Sequence, residues 1–488
     1  MNTIKTLSII LTCLLIGIAT AQANTIPPTQ PAAPITPVDT SIQQGLDQII
    51  NSFNHDVSVG VIVQSTSTGA TLYQHDANRM FMPASTMKLF TATAALAYLG
   101  PNYVFSTQMF GNTIPINSIL PGNLYVKFSG DPMLTIDDLN NMIAILSQRG
   151  VRIIQGSLVI DDTALDQVNW APGWMWDEQI LCYAAPATSI ILNRNCFGVS
   201  LAAGTQANTP GHISIEGTLA NISILNRVTT RQADYWQCPL DLVASGNNTY
   251  VLSGCLAPKH APMGLSIALN DTRKAGTDIL LHLLNQHGIT LAGGVRYGQT
   301  PASAKLLAEH NSAPLSALIT RMLKKSDNLI ADTLFKKLGG TYFNTTGTWN
   351  NGSQAVRAIL SPRTGINFHN MVMVDGAGLS RYDLVNPTQF ATLLNYAYRS
   401  LPANNVFYQA LPSSGIDGTL RYRLGGPVQG KVHAKTGTMV STSGLAGYIE
   451  TANHQTLTFA ILINGFVGKQ APYHLLEDKI CQFLAEKG

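Results

Sequence analysis

The segment "KLFTATAALAYLG" (88–100) tolerates few environments. Wound as a helix, Leu89, Phe90, Ala92, Ala94, Ala95, Leu96 and Ala97 leave almost no polar face. Pro83 and Ser85 precede it as start signals and Gly100 follows as a stop. Such a helix has to be enclosed on nearly all sides, so the chain must supply layers around it. The material for those layers lies at both ends of the chain. Asp56–Gln64 reads as a strand carrying Val57, Val59, Val61 and Val63, and Ala70–His75 as a second strand after a Ser/Thr/Gly turn. Near the other end, "VHAKTG" and "LAGYIETANHQTLTFAILING" read as neighbouring antiparallel strands, the last two joined by a polar turn. The closing "YHLLEDKICQFLAEKG" is an amphipathic helix that packs on a sheet. Helical periodicity also runs through Leu315–Leu338, broken by "KSDN". The expected class is α+β.

Between these ends, from about residue 104 to 303, the texture changes to short strands and frequent turns, with one helix near Lys274–His287. This reads as inserted, strand-rich material. Cys182, Cys196, Cys238 and Cys255 all fall inside it. Their order suggests Cys182–Cys196 and Cys238–Cys255, although four cysteines allow three pairings. Disulfides require an oxidising compartment, and the N-terminus agrees. Lys5, an apolar run from Leu7 to Ala19 and Ala21-Gln22-Ala23 form an export signal cut after Ala23, so 1–23 is read as signal peptide. A Pro-rich lead-in follows over 24–41. No later run is long and apolar enough for a membrane span, so no transmembrane segment is expected in the mature chain. A net charge of +3 is too mild to argue for nucleic acid. No C-x-x-C or H-E-x-x-H occurs, so no metal and no cofactor is expected. Cys481 reads as a buried apolar residue.

The chemistry starts at "MPASTMKLF" (82–90). A serine hydroxyl is a weak nucleophile and needs a base beside it. Three residues on, Lys88 shares a helix face with Ser85 and can reach its hydroxyl. A lysine serves as base only when neutral, and lowering its pKa by roughly 3 units corresponds to about 4 kcal/mol. Apolar burial with cationic Lys435 nearby pushes in that direction. Two further motifs follow in order: Ser326-Asp327-Asn328 and Lys435-Thr436-Gly437. S-x-x-K, S-D-N and K-T-G, each on a fitting element, are the signature of penicillin-recognising serine enzymes. Ser326 can relay a proton to the leaving amine, and Asn328 can position the substrate amide. Lys435 offers charge to a substrate carboxylate, with hydrogen bonds from Thr436 and Thr438. Gly437 is expected to let the substrate backbone approach. The backbone N–H groups of Ser85 and Thr438 are the candidate oxyanion hole. No G-x-S-x-G elbow is present, and His433 reads as structural.

With these motifs in place, the chain resembles the penicillin-binding protein 4 family, the class C low-molecular-mass penicillin-binding proteins. The likeness covers essentially the mature chain. It includes "FSGDPMLT" (128–135), "GSLVIDDTALD" (156–166), "APGWMWDE" (171–178), "YAAPATSIILNRNCF" (183–197), "MLKKSDNLIADTLF" (322–335), "VDGAGLSR" (374–381) and "KVHAKTGT" (431–438). The resemblance implies a serine β-lactamase/transpeptidase-like domain, an antiparallel sheet between helix layers, built from 42–103 and 304–488. It implies two inserted domains, one from 104–168 and 262–303 and another from 169–261. It implies D-alanyl-D-alanine carboxypeptidase and DD-endopeptidase activity on peptidoglycan stem peptides and cross-links, with β-lactams as covalent inhibitors acylating Ser85. It further implies that Glu178, with Asp177 beside it, Tyr183 and Arg381 bind the free end of the diaminopimelyl side chain. The setting implied is the periplasm, with a homodimer as a candidate assembly. Two rival readings share the motifs: a β-lactamase, and a catalytically silent peptidoglycan or β-lactam sensor. The long separation of the first two motifs speaks against the former, and the complete set of catalytic side chains against the latter.

Overall fold

A computed structural model describes residues 40–53, 56–231, 237–258 and 261–488. The expected signal segment and nearly all of the Pro-rich lead-in lie outside the described residues. The two ends of the chain meet in one five-stranded antiparallel sheet. Its order is Val432–Met439, Thr442–Glu450, Thr456–Asn464, Ser58–Ser65 and Thr71–His75. Val61 stands opposite Ile461 and Val63 opposite Phe459. Successive strand residues point to opposite faces. Val61, Val63, Leu445, Ile461 and Ile463 therefore turn one way and pack with Leu46 of the helix Thr40–Asn51 and Ile480 of the helix Ala471–Lys487. Ile62, Ala446, Tyr448, Ala460 and Leu462 turn the other way into the core around the Lys88–Tyr98 helix. Burial on both faces explains why "LTFAILI" is apolar without alternation.

Every residue from Lys88 to Leu96 is buried. The helices Leu315–Lys325, Asn328–Phe343, Trp349–Thr364 and Pro387–Arg399 surround it. Its hydroxyls are satisfied: Thr91 Oγ1 donates to the Gly376 carbonyl at 2.8 Å and Thr93 Oγ1 to the Leu89 carbonyl at 2.7 Å.

The intervening segment forms sheets of its own. A five-stranded one runs in the order Val295–Tyr297, Leu158–Asp161, Leu124–Lys127, Ser106–Gly111, Lys305–Asn311. The helices Ile136–Gln148 and Thr272–Gln286 share its core. Two three-stranded sheets follow, one of Ser223–Thr230, Thr249–Leu256 and Asp241–Gly246, the other of Met263–Ala268, Cys196–Ala202 and His212–Glu216. Pairing and burial run across three expected boundaries. Lys305–Asn311 pairs antiparallel with Ser106–Gly111, so the inserted sheet continues past residue 303. Met263–Ala268 pairs with Cys196–Ala202, so the strands expected on the two sides of residue 261 belong together. Ala171, Trp174, Ala184, Ala187 and Ile191, expected in the second insertion, are buried in the core that holds Phe90 and Leu334. That last placement carries the 171–191 segment to the candidate site. The disulfides are Cys182–Cys196 and Cys238–Cys255, and Cys481 is free and buried. Among the described residues, no helix is long and apolar enough to cross a membrane.

Candidate active site

Ser85 sits in a 3₁₀ turn, Ala84–Met87, and Lys88 opens the α-helix that follows. The sequence suggested a plain α-helical start. The tighter turn has three residues per turn, so side chains at i and i+3 eclipse. Lys88 Nζ accordingly lies 2.8 Å from Ser85 Oγ. The turn is entered through Ala84 at φ +47 and closed on the Pro83 carbonyl, which accepts from the Thr86 N–H at 3.3 Å and from Thr86 Oγ1 at 2.6 Å. A Cβ at Gly437 would stand 2.7 Å from the Pro83 carbonyl oxygen. The glycine of K-T-G thus lets its strand close onto the serine turn, where the sequence had assigned it to approach of substrate.

Lys88 is fully buried, and its ammonium donates to three groups: Ser85 Oγ, Asn328 Oδ1 at 2.7 Å and the Ala377 carbonyl at 2.8 Å. Burial lowers its pKa to about 8, against the opposing pull of Asp332, Asp375 and Asp327. These carboxylates were missed from sequence. Asp332 lies one turn beyond Asn328 on the same helix, and its Oδ1 accepts from the N–H groups of Gly376 and Ala377, both at 3.0 Å. Asp375 accepts from Trp174 Nε1 at 2.8 Å and from the Ser380 N–H at 2.7 Å. Together they fix the 375–380 loop whose Ala377 carbonyl faces Lys88. The one available signal was spacing, Asp332 falling four residues after Asn328 and so on the same helix face.

Ser326 ends the helix Leu315–Lys325 in the left-handed region, φ 56 and ψ 40. Asp327 then caps the next helix by accepting from the Ile330 N–H at 3.2 Å. Arg194 at 2.9 Å and Arg321 at 3.2 Å hold that cap. This break between two helices turns both Ser326 and Asn328 toward the cleft. Lys435 is also fully buried; its Nζ donates to Ser326 Oγ at 2.9 Å and to the Thr436 carbonyl at 2.7 Å. Burial, with the Lys88 charge adding to it, pushes its pKa well below the ordinary value. Each serine therefore has its own lysine. Lys435 stands behind Ser326 and does not line the cleft. Thr436 is buried with its hydroxyl on Thr419 at 2.7 Å, whereas Thr438 reaches the cleft. His433 packs tilted against Tyr408, centroids 4.6 Å apart.

The cleft has a volume of about 500 Å³ and is lined by Ser85, Ser326, Asn328, Thr438, Glu178 and Tyr183, among others. Asn328 reaches both sides of it, donating from Nδ2 to the Tyr183 carbonyl at 2.8 Å. Arg381 stands at the rim. Its Nη2 is 3.8 Å from Glu178 Oε1, and its Nη1 donates to the Val440 carbonyl at 3.1 Å. Burial and then the Glu178 and Asp177 charges push the Tyr183 hydroxyl up to about 12, so it stays a neutral donor. Asp177 does not enter this cleft; it lines a neighbouring cavity with Trp176.

The D-Ala-D-Ala carboxypeptidase 3 (S13) family model matches residues 42–487. The chain belongs to that family. It is an enzyme, a serine-type carboxypeptidase by class. It is 34% identical over 415 residues to the D-alanyl-D-alanine carboxypeptidase DacB of Haemophilus influenzae, covering 84% of this chain and 86% of that one. The crystal structure of penicillin binding protein 4 (dacB) from Haemophilus influenzae superposes with a TM-score of 0.85 at 31% identity, covering 90% of this chain and 99% of that one. The structure of that protein complexed with a β-lactam superposes at 0.81, again at 31% identity, covering 91% and 99%. The fold is the α+β, transpeptidase-like one expected, an antiparallel sheet between helix layers.

Proposed function

We propose that this S13 enzyme removes the terminal D-Ala from peptidoglycan stem peptides and also opens D-Ala cross-links, through an acyl-enzyme on Ser85. The observation that carries the reading is the 2.8 Å contact between Ser85 Oγ and a fully buried Lys88. Neutral Lys88 takes the Ser85 proton as Oγ attacks the carbonyl of the penultimate D-Ala. The oxyanion is met by the N–H groups of Ser85 and Thr438. Ser326, backed by Lys435, delivers a proton to the departing amine, and the D-Ala or the cross-linked side chain leaves. Water then attacks the ester, its proton returns through the same groups, and Ser85 is regenerated. Asn328 positions the acyl amide. Glu178 faces the free amine of the diaminopimelyl side chain and Arg381 its carboxylate, with Tyr183 between them. A β-lactam enters the same chemistry and stays on Ser85. The two disulfides fit an oxidising compartment, and the periplasm is the proposed location.

The test is digestion of purified muropeptides by wild-type protein and Ser85→Ala, products read by mass. Loss of one D-Ala, opened cross-links, or both are expected from wild type and neither from the variant. Equal cleavage by the variant would remove Ser85 from the mechanism. Sustained rapid turnover of nitrocefin would point to a β-lactamase instead.

A further inference from the structure

The loop that brings Glu178 and Tyr183 to the cleft has a second side. There Trp176 and Asp177 line a separate cavity of about 630 Å³, closed by Trp170, Asp241 and Asn270 from the strand-rich insertion and its surroundings. Trp176 is 73% exposed, which is unusual for the largest apolar side chain. Trp170, by contrast, is tied down, its Nε1 donating to the Ala184 carbonyl at 3.1 Å. The lining is apolar at Leu242 and Ala268 and polar at the carboxylates of Asp177 and Asp241 and the amide of Gln179. Among the described residues, no Lys, Arg or His lines it.

This lining selects a ligand. The carboxylates of Asp177 and Asp241 repel an anion, and so disfavour the free carboxylates of a stem peptide. Exposed indole surface beside hydrogen-bond acceptors suits a neutral ring with one apolar face and an edge of hydroxyls and amides. Position narrows it further. Glu178 lines the catalytic cleft and its neighbour Asp177 the second cavity, so the two lie about one residue apart. From the geometry we infer that this cavity is a glycan subsite, holding neutral N-acetylated sugar rings of the strand whose peptide is being cut. The inference rests on the proposed peptidoglycan substrate. It assigns the insertion a purpose: gripping the part of the substrate that does not react, so that attached stem peptides are favoured over free ones.

The binding test uses a β-1,4-linked N-acetylglucosamine tetramer, titrated into the full chain and followed by tryptophan fluorescence and calorimetry. Wild type is expected to bind saturably, Trp176→Ala about ten-fold more weakly, and Asp241→Asn several-fold more weakly. Ser85→Ala is expected to bind as wild type does. The kinetic test compares a disaccharide-bearing stem peptide with the same peptide lacking sugar. Trp176→Ala should raise KM for the first by about ten-fold at unchanged kcat and leave the second alone. The inference fails if the tetramer does not bind by about 10 mM. It also fails if neither substitution weakens binding, or if KM moves equally for both substrates. Should wild type cut neither peptide, the proposed function fails, while the tetramer titration still decides the subsite because it needs no catalysis.

Discussion

Asp332→Asn isolates the electrostatic setting of the base. Asp332 is buried, its Oδ1 holds two backbone N–H groups of the 376–377 loop, and its Oδ2 has no hydrogen-bond partner. Asparagine keeps an acceptor for that loop and removes the charge. The path from Lys88 Nζ through the Ala377 carbonyl and N–H to Asp332 comprises contacts of 2.8 Å and 3.0 Å joined by one residue. The separation is therefore at most about 9 Å, and at an effective dielectric of about 20 a full charge there contributes about 2 kcal/mol. Burial and Asp375 push the Asp332 carboxyl well up, against the pull of Lys88, which makes that figure an upper bound. Its loss should lower the Lys88 pKa by about one unit, from about 8 toward about 7. At pH 7 the neutral, competent fraction of Lys88 would rise from about 10% to about 50%. The assay is the second-order rate of acylation by a fluorescent penicillin from pH 5.5 to 10, which reports groups of the free enzyme. Wild type should show an acid limb near 8 and the variant the same limb displaced to lower pH. A variant that merely distorts the site would lose amplitude without moving the limb. An unmoved limb, or one displaced upward, would refute the claim that Asp332 holds the Lys88 pKa up.

Three further outcomes follow from contacts described above. Gly437→Ala forces a Cβ against the Pro83 carbonyl at 2.7 Å, so it should cost about 1–3 kcal/mol and slow penicillin acylation by more than about ten-fold, read by melting temperature and labelling rate. Arg381→Ala should raise KM for substrates with a free diaminopimelyl end by about ten-fold, while peptides lacking that end change little, read by steady-state kinetics. Replacing Cys238 and Cys255 by serine opens a loop spanning 17 residues and should destabilise the strand-rich insertion by about 3 kcal/mol, with acylation of Ser85 retained, read by denaturation and labelling on the same samples.

What could be read from sequence was whatever chemistry or two-sided burial writes into adjacent residues. Ser85 and Lys88 are legible because a hydroxyl and its base must share one turn, and "LTFAILI" because a strand covered on both faces is nearly all apolar, its one hydroxyl, on Thr458, being taken up by Asn395. Asp332 and Asp375 were illegible for the converse reason. An aspartate in a helix or a loop is ordinarily a solvated charge, and only closure of the 375–380 loop over the Asn328 helix takes these two out of water. The strand Lys305–Asn311 was misplaced because its partner, Ser106–Gly111, lies about two hundred residues away, and no local pattern records such a pairing. Gly437 was legible as a residue but not as a cause. A glycine marks a close approach without saying what approaches, and here the neighbour is the Pro83 carbonyl that tightens the turn carrying Ser85. The same division runs through the site. Local spacing specifies which atoms can react, whereas the pKa of about 8 that lets Lys88 act is a product of packing. Substitutions of Ser85 and Lys88 should therefore abolish turnover, and substitutions of the carboxylates behind them should shift its pH dependence.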